Sequence, residues 1–136
     1  MQLRRVASEH AKVKVVGTQS YQDALWRVVG PPTSGPDSRA DWQGEAALEP
    51  EPANRYDRNA VRVVVGGEPV GYLDRGLAAR LQPALLDLER RGIRVAVPCY
   101  ASGGFEWREG GRASVGLVLR FDPEELLAHA ETDTPR

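Results

Sequence analysis

At 136 residues the chain has the length of one ordinary domain, large enough to bury a core and too short for two of typical size. Its formal charge of −1 argues against a globally basic nucleic-acid binder, yet the charge is uneven: residues 1–30 and 54–94 each carry a net +3, and residues 31–53 and 122–136 each carry −4. A lone Cys99 excludes an intramolecular disulfide, no apolar run nears the ~20 residues of a membrane span, and Met1 to Lys14 lacks the apolar core of a signal peptide, so a soluble cytoplasmic protein is expected.

Residues 1–11 read as a flexible N-terminus. From Lys12 to Gly17 charged and apolar residues alternate before a glycine, the pattern of a half-buried strand. The stretch from Tyr21 to Val29 fits either a short helix or a strand. Residues 30–43 are rich in glycine, proline, serine and aspartate and predict a mobile loop insertion. Ala46 to Glu49 reads as the end of a second strand, and Ala60 to Val65 is the clearest strand of the chain. Gly66-Gly67 then predicts a tight hairpin into Glu68–Leu73.

Asp74 is placed to cap a helix whose Leu77, Leu81, Ala84, Leu85 and Leu88 fall on one stripe. Pro83 inside it predicts a kink or two short helices. Strands from Arg94 to Tyr100 and from Ala113 to Phe121 form a second hairpin with a glycine-rich tip, and residues 122–136 read as a short acidic helix and a disordered tail. Hairpin signals dominate, so the expected architecture is mostly β with one or two helices, a small curled sheet or barrel.

Signals of enzymatic chemistry are thin. His10 and His129 lie near opposite ends of the chain, and Walker and dinucleotide-binding glycine patterns are absent. Cys99 follows Pro98 in a predicted strand, where a buried and inert thiol is expected. No metal or cofactor is called for.

The segment from Glu49 to Val63 says more. Pro50 and Pro52 resist helix formation, and Asn54, Asp57 and Asn59 are all able to bond their own backbone and hold a turn. A rigid loop results, presenting Arg55, Tyr56 and Arg58 together. Tyr21, Tyr56, Phe105 and Trp107 all sit at predicted strand ends or loop tips. Aromatic rings at a barrel mouth with cations nearby are the chemistry that grips single-stranded nucleic acid.

Three segments carry a resemblance: Val15-Val16-Gly17-Thr18-Gln19-Ser20-Tyr21, then Glu51 through Val63 with its Asn54-Arg55-Tyr56-Asp57-Arg58-Asn59-Ala60-Val61 core, then Pro69-Val70-Gly71-Tyr72-Leu73. In this order they resemble the HIRAN domain family, from about Lys12 to Phe121. The resemblance implies a small OB-like β-barrel, and a noncatalytic module of the kind found with Swi/Snf-type helicases, which captures the 3′ end of single-stranded DNA, and in short prokaryotic proteins. Carried over by position, it implies that Tyr56 packs on the terminal nucleotide, that Asp57 accepts a hydrogen bond from the 3′ hydroxyl, that Phe105 stacks on a base and that Arg75 lies near the backbone. Tyr21, Tyr72, Arg55 and Arg58 complete the candidate DNA-binding set. Gln19-Ser20 stands where the DNA-binding form can present a basic residue and an extra aromatic.

Two functions are therefore expected to compete. The first is binding of single-stranded DNA at its 3′-hydroxyl end in repair or processing, with any helicase or nuclease supplied in trans. The alternative is a protein-interaction adaptor that docks a repair or defence enzyme through the barrel edge or the loop around Trp42.

Overall fold

The computed structural model describes residues 2–132, with the side chains of residues 131 and 132 left aside. The tail expected at residues 133–136 lies outside the described residues. The elements run β1 (Gln2–Arg5), β2 (Val13–Lys14), a 3-10 turn (Thr18–Tyr21), α1 (Gln22–Val29), β3 (Gln43–Pro50), β4 (Val61–Val65), β5 (Glu68–Tyr72), α2 (Arg75–Arg90), β6 (Ile93–Gly103), β7 (Val115–Leu119) and α3 (Pro123–Thr132).

The strands form one mostly antiparallel sheet in the order β2-β7-β6-β3-β4-β5, with β1 added parallel to β6. The sheet curls until its two ends meet. Val16, just past β2, exchanges two backbone hydrogen bonds with Tyr72 of β5, at 2.8 and 2.9 Å. Gly71 makes this seam possible, because a Cβ there would lie 2.5 Å from Val15 Cγ1 and 2.7 Å from the Val16 carbonyl oxygen. The result is a mostly antiparallel half-barrel with three helices, in line with the small curled sheet or barrel that the hairpin signals predict.

Alternation decides the inside. Val61 and Val63 on β4, Val95, Val97 and Cys99 on β6, and Val115, Leu117 and Leu119 on β7 are all buried, with Phe121 closing the end. Burial pushes the Cys99 thiol up to about 12, so it remains a neutral, apolar occupant of the core. The β4–β5 hairpin turns at Gly66 and Gly67, whose φ values of 58° and 81° are those of a two-residue loop matched to strand twist.

Asp74 caps α2 by accepting from the Gly76 and Leu77 amides, at 3.1 and 3.3 Å. Its Ala78, Leu81, Leu85 and Leu88 face the core. The helix is continuous through Pro83 from Arg75 to Arg90, so of the two expectations, a kink or two short helices, the second does not hold. Pro83 lies on the exposed side, where the carbonyl freed one turn earlier, at exposed Ala79, reaches solvent. α3 packs on α2 through buried Leu126 and an Arg80–Glu124 ion pair.

Other segments depart from the sequence reading. Gln2–Arg5, within the stretch read as a flexible N-terminus, pair in register with Ile93–Ala96. Tyr21–Val29 resolves as the turn and α1, which buries Ala24, Leu25 and Val29. The 30–43 segment is tied down at its end: Ser38 and Ala40 are buried, and the Ala40 amide donates to the Gly103 carbonyl at 3.1 Å. Trp42, considered above as a docking residue, lies over Gly44 and packs on the core.

Candidate nucleic-acid interface

The β3–β4 loop is held by its own polar side chains. Its base closes where the Glu51 amide donates to the Ala60 carbonyl at 2.9 Å. Asn54 Oδ1 accepts from the amides of Tyr56 and Asp57, at 2.9 and 3.0 Å, and Asp57 Oδ1 accepts from the Asn59 amide at 3.0 Å. From α2, the buried Gln82 donates through Nε2 to the carbonyls of Arg58 and Ala60, at 2.7 and 3.0 Å. Every turn of the loop is thus fixed, and Tyr56 stands on it with 88% of its surface exposed.

Beside the loop runs an open groove of about 410 Å³. Tyr21 from the 3-10 turn, Tyr56 and Asp57 from the loop, Tyr72 from β5 and Arg75 from the start of α2 all line it, together with Val16, Gly17, Asn54, Ala60 and Leu73. The rings of Tyr21 and Tyr72 are 6.4 Å apart and inclined at 52°. Arg75 Nη2 reaches the Tyr56 carbonyl at 3.4 Å, which sets a cation beside the exposed ring. The Tyr72 phenol is held well above its usual range, first by burial and then by the Glu51 carboxylate and the Tyr21 hydroxyl, so it stays neutral at physiological pH. Aromatic faces, one guanidinium and one carboxylate with an oxygen to spare thus share a small volume.

Five of the eight residues singled out in the sequence meet in this groove. Arg55 and Arg58 are exposed on the same loop but are not among its lining residues. Phe105 lies elsewhere, at the base of the β6–β7 hairpin tip, in edge-to-face contact with Trp107 at 4.7 Å. Both rings are about half exposed, at 44% and 48%.

The HIRAN domain family profile matches residues 8–104, well over half of the chain. The chain belongs to the HIRAN domain family. Two solved structures are similar to it: the crystal structure of the HIRAN domain of human HLTF, 20% identical over 87% of this chain and 80% of that one with a TM-score of 0.39, and the NMR structure of the HLTF HIRAN domain, 20% identical over 88% of each with a TM-score of 0.37. No curated protein sequence matches.

Within this HIRAN domain the three sequence segments that carry the resemblance are the ones that build the groove. The first supplies Val16, Gly17 and Tyr21, the second Asn54, Tyr56, Asp57 and Ala60, and the third Tyr72 and Leu73. Two supporting residues escaped the sequence reading. Gln82 reads as a polar position on a helix that already has an apolar stripe, and Glu51 as one acid among several. The bonds of Gln82 reach residues more than twenty positions away, and Glu51 bonds Asn54 within its own loop. Gln82 gave one usable signal, a polar residue directly after Leu81 on the buried side.

Proposed function

We propose that this HIRAN domain is a noncatalytic module that binds single-stranded DNA at its 3′-hydroxyl end, in DNA repair or processing, with any motor or nuclease supplied by a partner. The convergence of Tyr21, Tyr56, Asp57, Tyr72 and Arg75 on one groove carries this reading. HIRAN domains are noncatalytic binding modules, which agrees with a site made of stacking surfaces. In this role Tyr56 is the platform for the terminal nucleotide, a contact of about 1–3 kcal/mol per stacked base. Asp57 has one oxygen engaged by the Asn59 amide, which leaves the other to accept from a free hydroxyl and to repel a phosphate. Arg75 faces the backbone, and exposed Arg55 and Arg58 add general attraction for phosphates.

Titration of labelled oligonucleotides ending in a 3′ hydroxyl or a 3′ phosphate tests the proposal. Tighter binding of the hydroxyl end, weakening with salt, is expected. Equal affinity for both ends, or no binding, removes it.

The Phe105–Trp107 pair, exposed at a hairpin tip and outside the groove, favours a second reading as a protein-interaction adaptor. Recovery of a partner that survives nuclease treatment and is lost with Trp107→Ala supports it.

A further inference from the structure

Tyr21 enters the groove from the last residue of the 3-10 turn. Hydrogen bonds within so short a 3-10 segment are few and poorly aligned, so the turn needs outside support to hold a ring in place. Two side-chain amides that flank Tyr21 in the chain supply it. The Gln22 carboxamide pairs with the main chain of Val115 on β7, 93 residues away: Oε1 accepts from the Val115 amide at 3.0 Å, and Nε2 donates to the Val115 carbonyl at 2.9 Å. The same Nε2 also donates to the Thr18 carbonyl at 3.0 Å, which closes the turn on itself. Gln19 exchanges two bonds with the Ser114 hydroxyl, Nε2 to Oγ at 2.9 Å and Oγ to Oε1 at 3.1 Å. The sheet explains why Val115 accepts such a partner. β2 and its extension follow β7 as far as Val15, whose amide donates to the Leu117 carbonyl at 3.0 Å. The same register would next oppose Gly17 to Val115, but Gly17, at φ 74°, turns the chain away. The Gln22 carboxamide takes the vacated place and satisfies both main-chain groups of a fully buried residue. The Ser114 carbonyl in turn accepts from the Gly104 amide at 3.1 Å, so both anchors stand at the base of the hairpin that carries Phe105 and Trp107.

We propose that Gln19 and Gln22 are positioning residues of the groove: their carboxamides lock the turn that carries Tyr21 to Ser114 and Val115, so that the base of the Phe105–Trp107 hairpin fixes where the Tyr21 wall stands. The inference rests on the reading of the groove as a nucleic-acid site. Neither glutamine lines the groove, so each acts through Tyr21. The opposite ring, Tyr72, is fixed by the sheet itself, through β4 and the bonds to Val16. The 6.4 Å separation and 52° inclination of the two rings therefore depend on how firmly the turn is held. A loose turn would have to be ordered when the ligand arrives, at a cost to affinity. Carboxamides suit this task because each offers donors and an acceptor together, as a strand residue does. They are also uncharged, so the clamp holds equally at low and high salt, unlike the attraction of arginines for phosphate.

In the full chain, Ser114→Ala removes the exposed partner of Gln19 and should leave the melting temperature near that of the parent. Gln22→Met keeps the bulk of the side chain but leaves the Val115 main chain unpaired, and should lower the melting temperature as well. Both variants should weaken binding of a labelled single-stranded oligonucleotide about two- to tenfold, by a similar factor at low and high salt. Both should also weaken the nuclear Overhauser contact between the Tyr21 and Tyr72 rings in NMR spectra. Each loss of affinity should vanish when the substitution is made beside Tyr21→Ala, since a residue that acts through the ring then has nothing left to position. Unchanged affinity in both variants, with the ring contact intact, overturns the proposal and leaves the glutamines a role in stability alone. A loss that persists in full beside Tyr21→Ala overturns it too, because the glutamines then act independently of the ring. If the parent binds no oligonucleotide, or Tyr21→Ala binds as the parent does, the nucleic-acid reading fails at this wall. The Tyr21–Tyr72 contact in the two variants then decides alone: its loss upholds the clamp as what positions Tyr21, and its persistence overturns it.

Discussion

The loop at residues 51–60 and the hairpin tip at residues 104–113 both expose aromatic rings among arginines and acids, but they are built differently. The loop is secured from every side, by Asn54 and Asp57 within it, by Gln82 from α2 and by Glu51 from the end of β3. Its ring stands over a concavity shared with three other elements. The tip is fixed mainly by local bonds, such as Ala113 to the Phe105 carbonyl at 2.8 Å, Trp107 to Gly111 at 2.9 Å and Arg112 Nη1 to Gly104 at 2.6 Å. Its two rings are in edge-to-face contact with each other and lie outside the groove. An exposed aromatic ring held only by its own hairpin offers area alone. On a braced rim it offers a defined position relative to a carboxylate and a cation, and reading the chemistry of a strand end requires that position.

The largest effect should come from the loop itself. Tyr56→Ala should weaken binding of a 3′-hydroxyl oligonucleotide by about 1–3 kcal/mol, roughly five- to 150-fold in Kd. Its melting temperature should stay close to that of the parent, because so exposed a ring contributes little to folding. A Tyr56→Ala protein that binds as the parent does would erase the contrast between the two regions. Asp57→Asn is sharper still as a probe of selectivity. It keeps an acceptor for the Asn59 amide but loses the charge, so affinity for the 3′-phosphate end should rise toward that of the hydroxyl end, as read in the same titration.

The brace from α2 comes next. Gln82→Ala leaves the carbonyls of Arg58 and Ala60 without their donor in a site that is buried. Unfolding in urea should show a loss of about 1–3 kcal/mol. Hydrogen exchange at the Tyr56 amide should quicken along with it, and oligonucleotide affinity should fall because a loosened loop must be ordered on binding. If stability drops while affinity holds, bracing is a feature of the fold and plays no part in recognition.

Much of this was legible in the chain, and what was not has a common cause. Ala60 to Val65, the Gly66-Gly67 turn and the Asp74 cap declare themselves through local periodicity and local hydrogen bonding, so they read correctly from a window of a few residues. β1 does not, because Gln2–Arg5 contains a single apolar residue, Leu3, and its strand character comes from backbone pairing with β6, 91 residues further along the chain (Gln2 with Ile93). Tyr21–Val29 was ambiguous because Trp26, Val28 and Val29 favour strands, and burial of Leu25 and Val29 against the barrel settles the matter. The groove itself was half visible. Tyr56 and Asp57 announced a turn, but their partnership with Tyr21, Tyr72 and Arg75 depends on closure of the sheet between Val16 and Tyr72, which no local pattern encodes.

The smallest effect is expected at the hairpin tip, and it gives the comparison its finest test. Phe105 and Trp107 stack edge to face with each other, so either truncation loses a ring contact worth about 0.5–1.5 kcal/mol at most, and less for rings this exposed. Trp107→Ala should therefore shift the melting temperature by a degree or two and leave short oligonucleotides bound as before. The position of the tip matters through length. Ser114 at its base is hydrogen bonded to Gln19 of the 3-10 turn, at 2.9 Å, and that turn also supplies Tyr21 to the groove. If the tip extends the DNA path, Phe105→Ala and Trp107→Ala should weaken a long oligonucleotide several-fold while sparing a short one, an effect that increases with length in fluorescence titrations. If affinity for both lengths is unchanged, the rings serve a protein partner or nothing beyond their own hairpin, and recognition of DNA belongs to the braced loop alone.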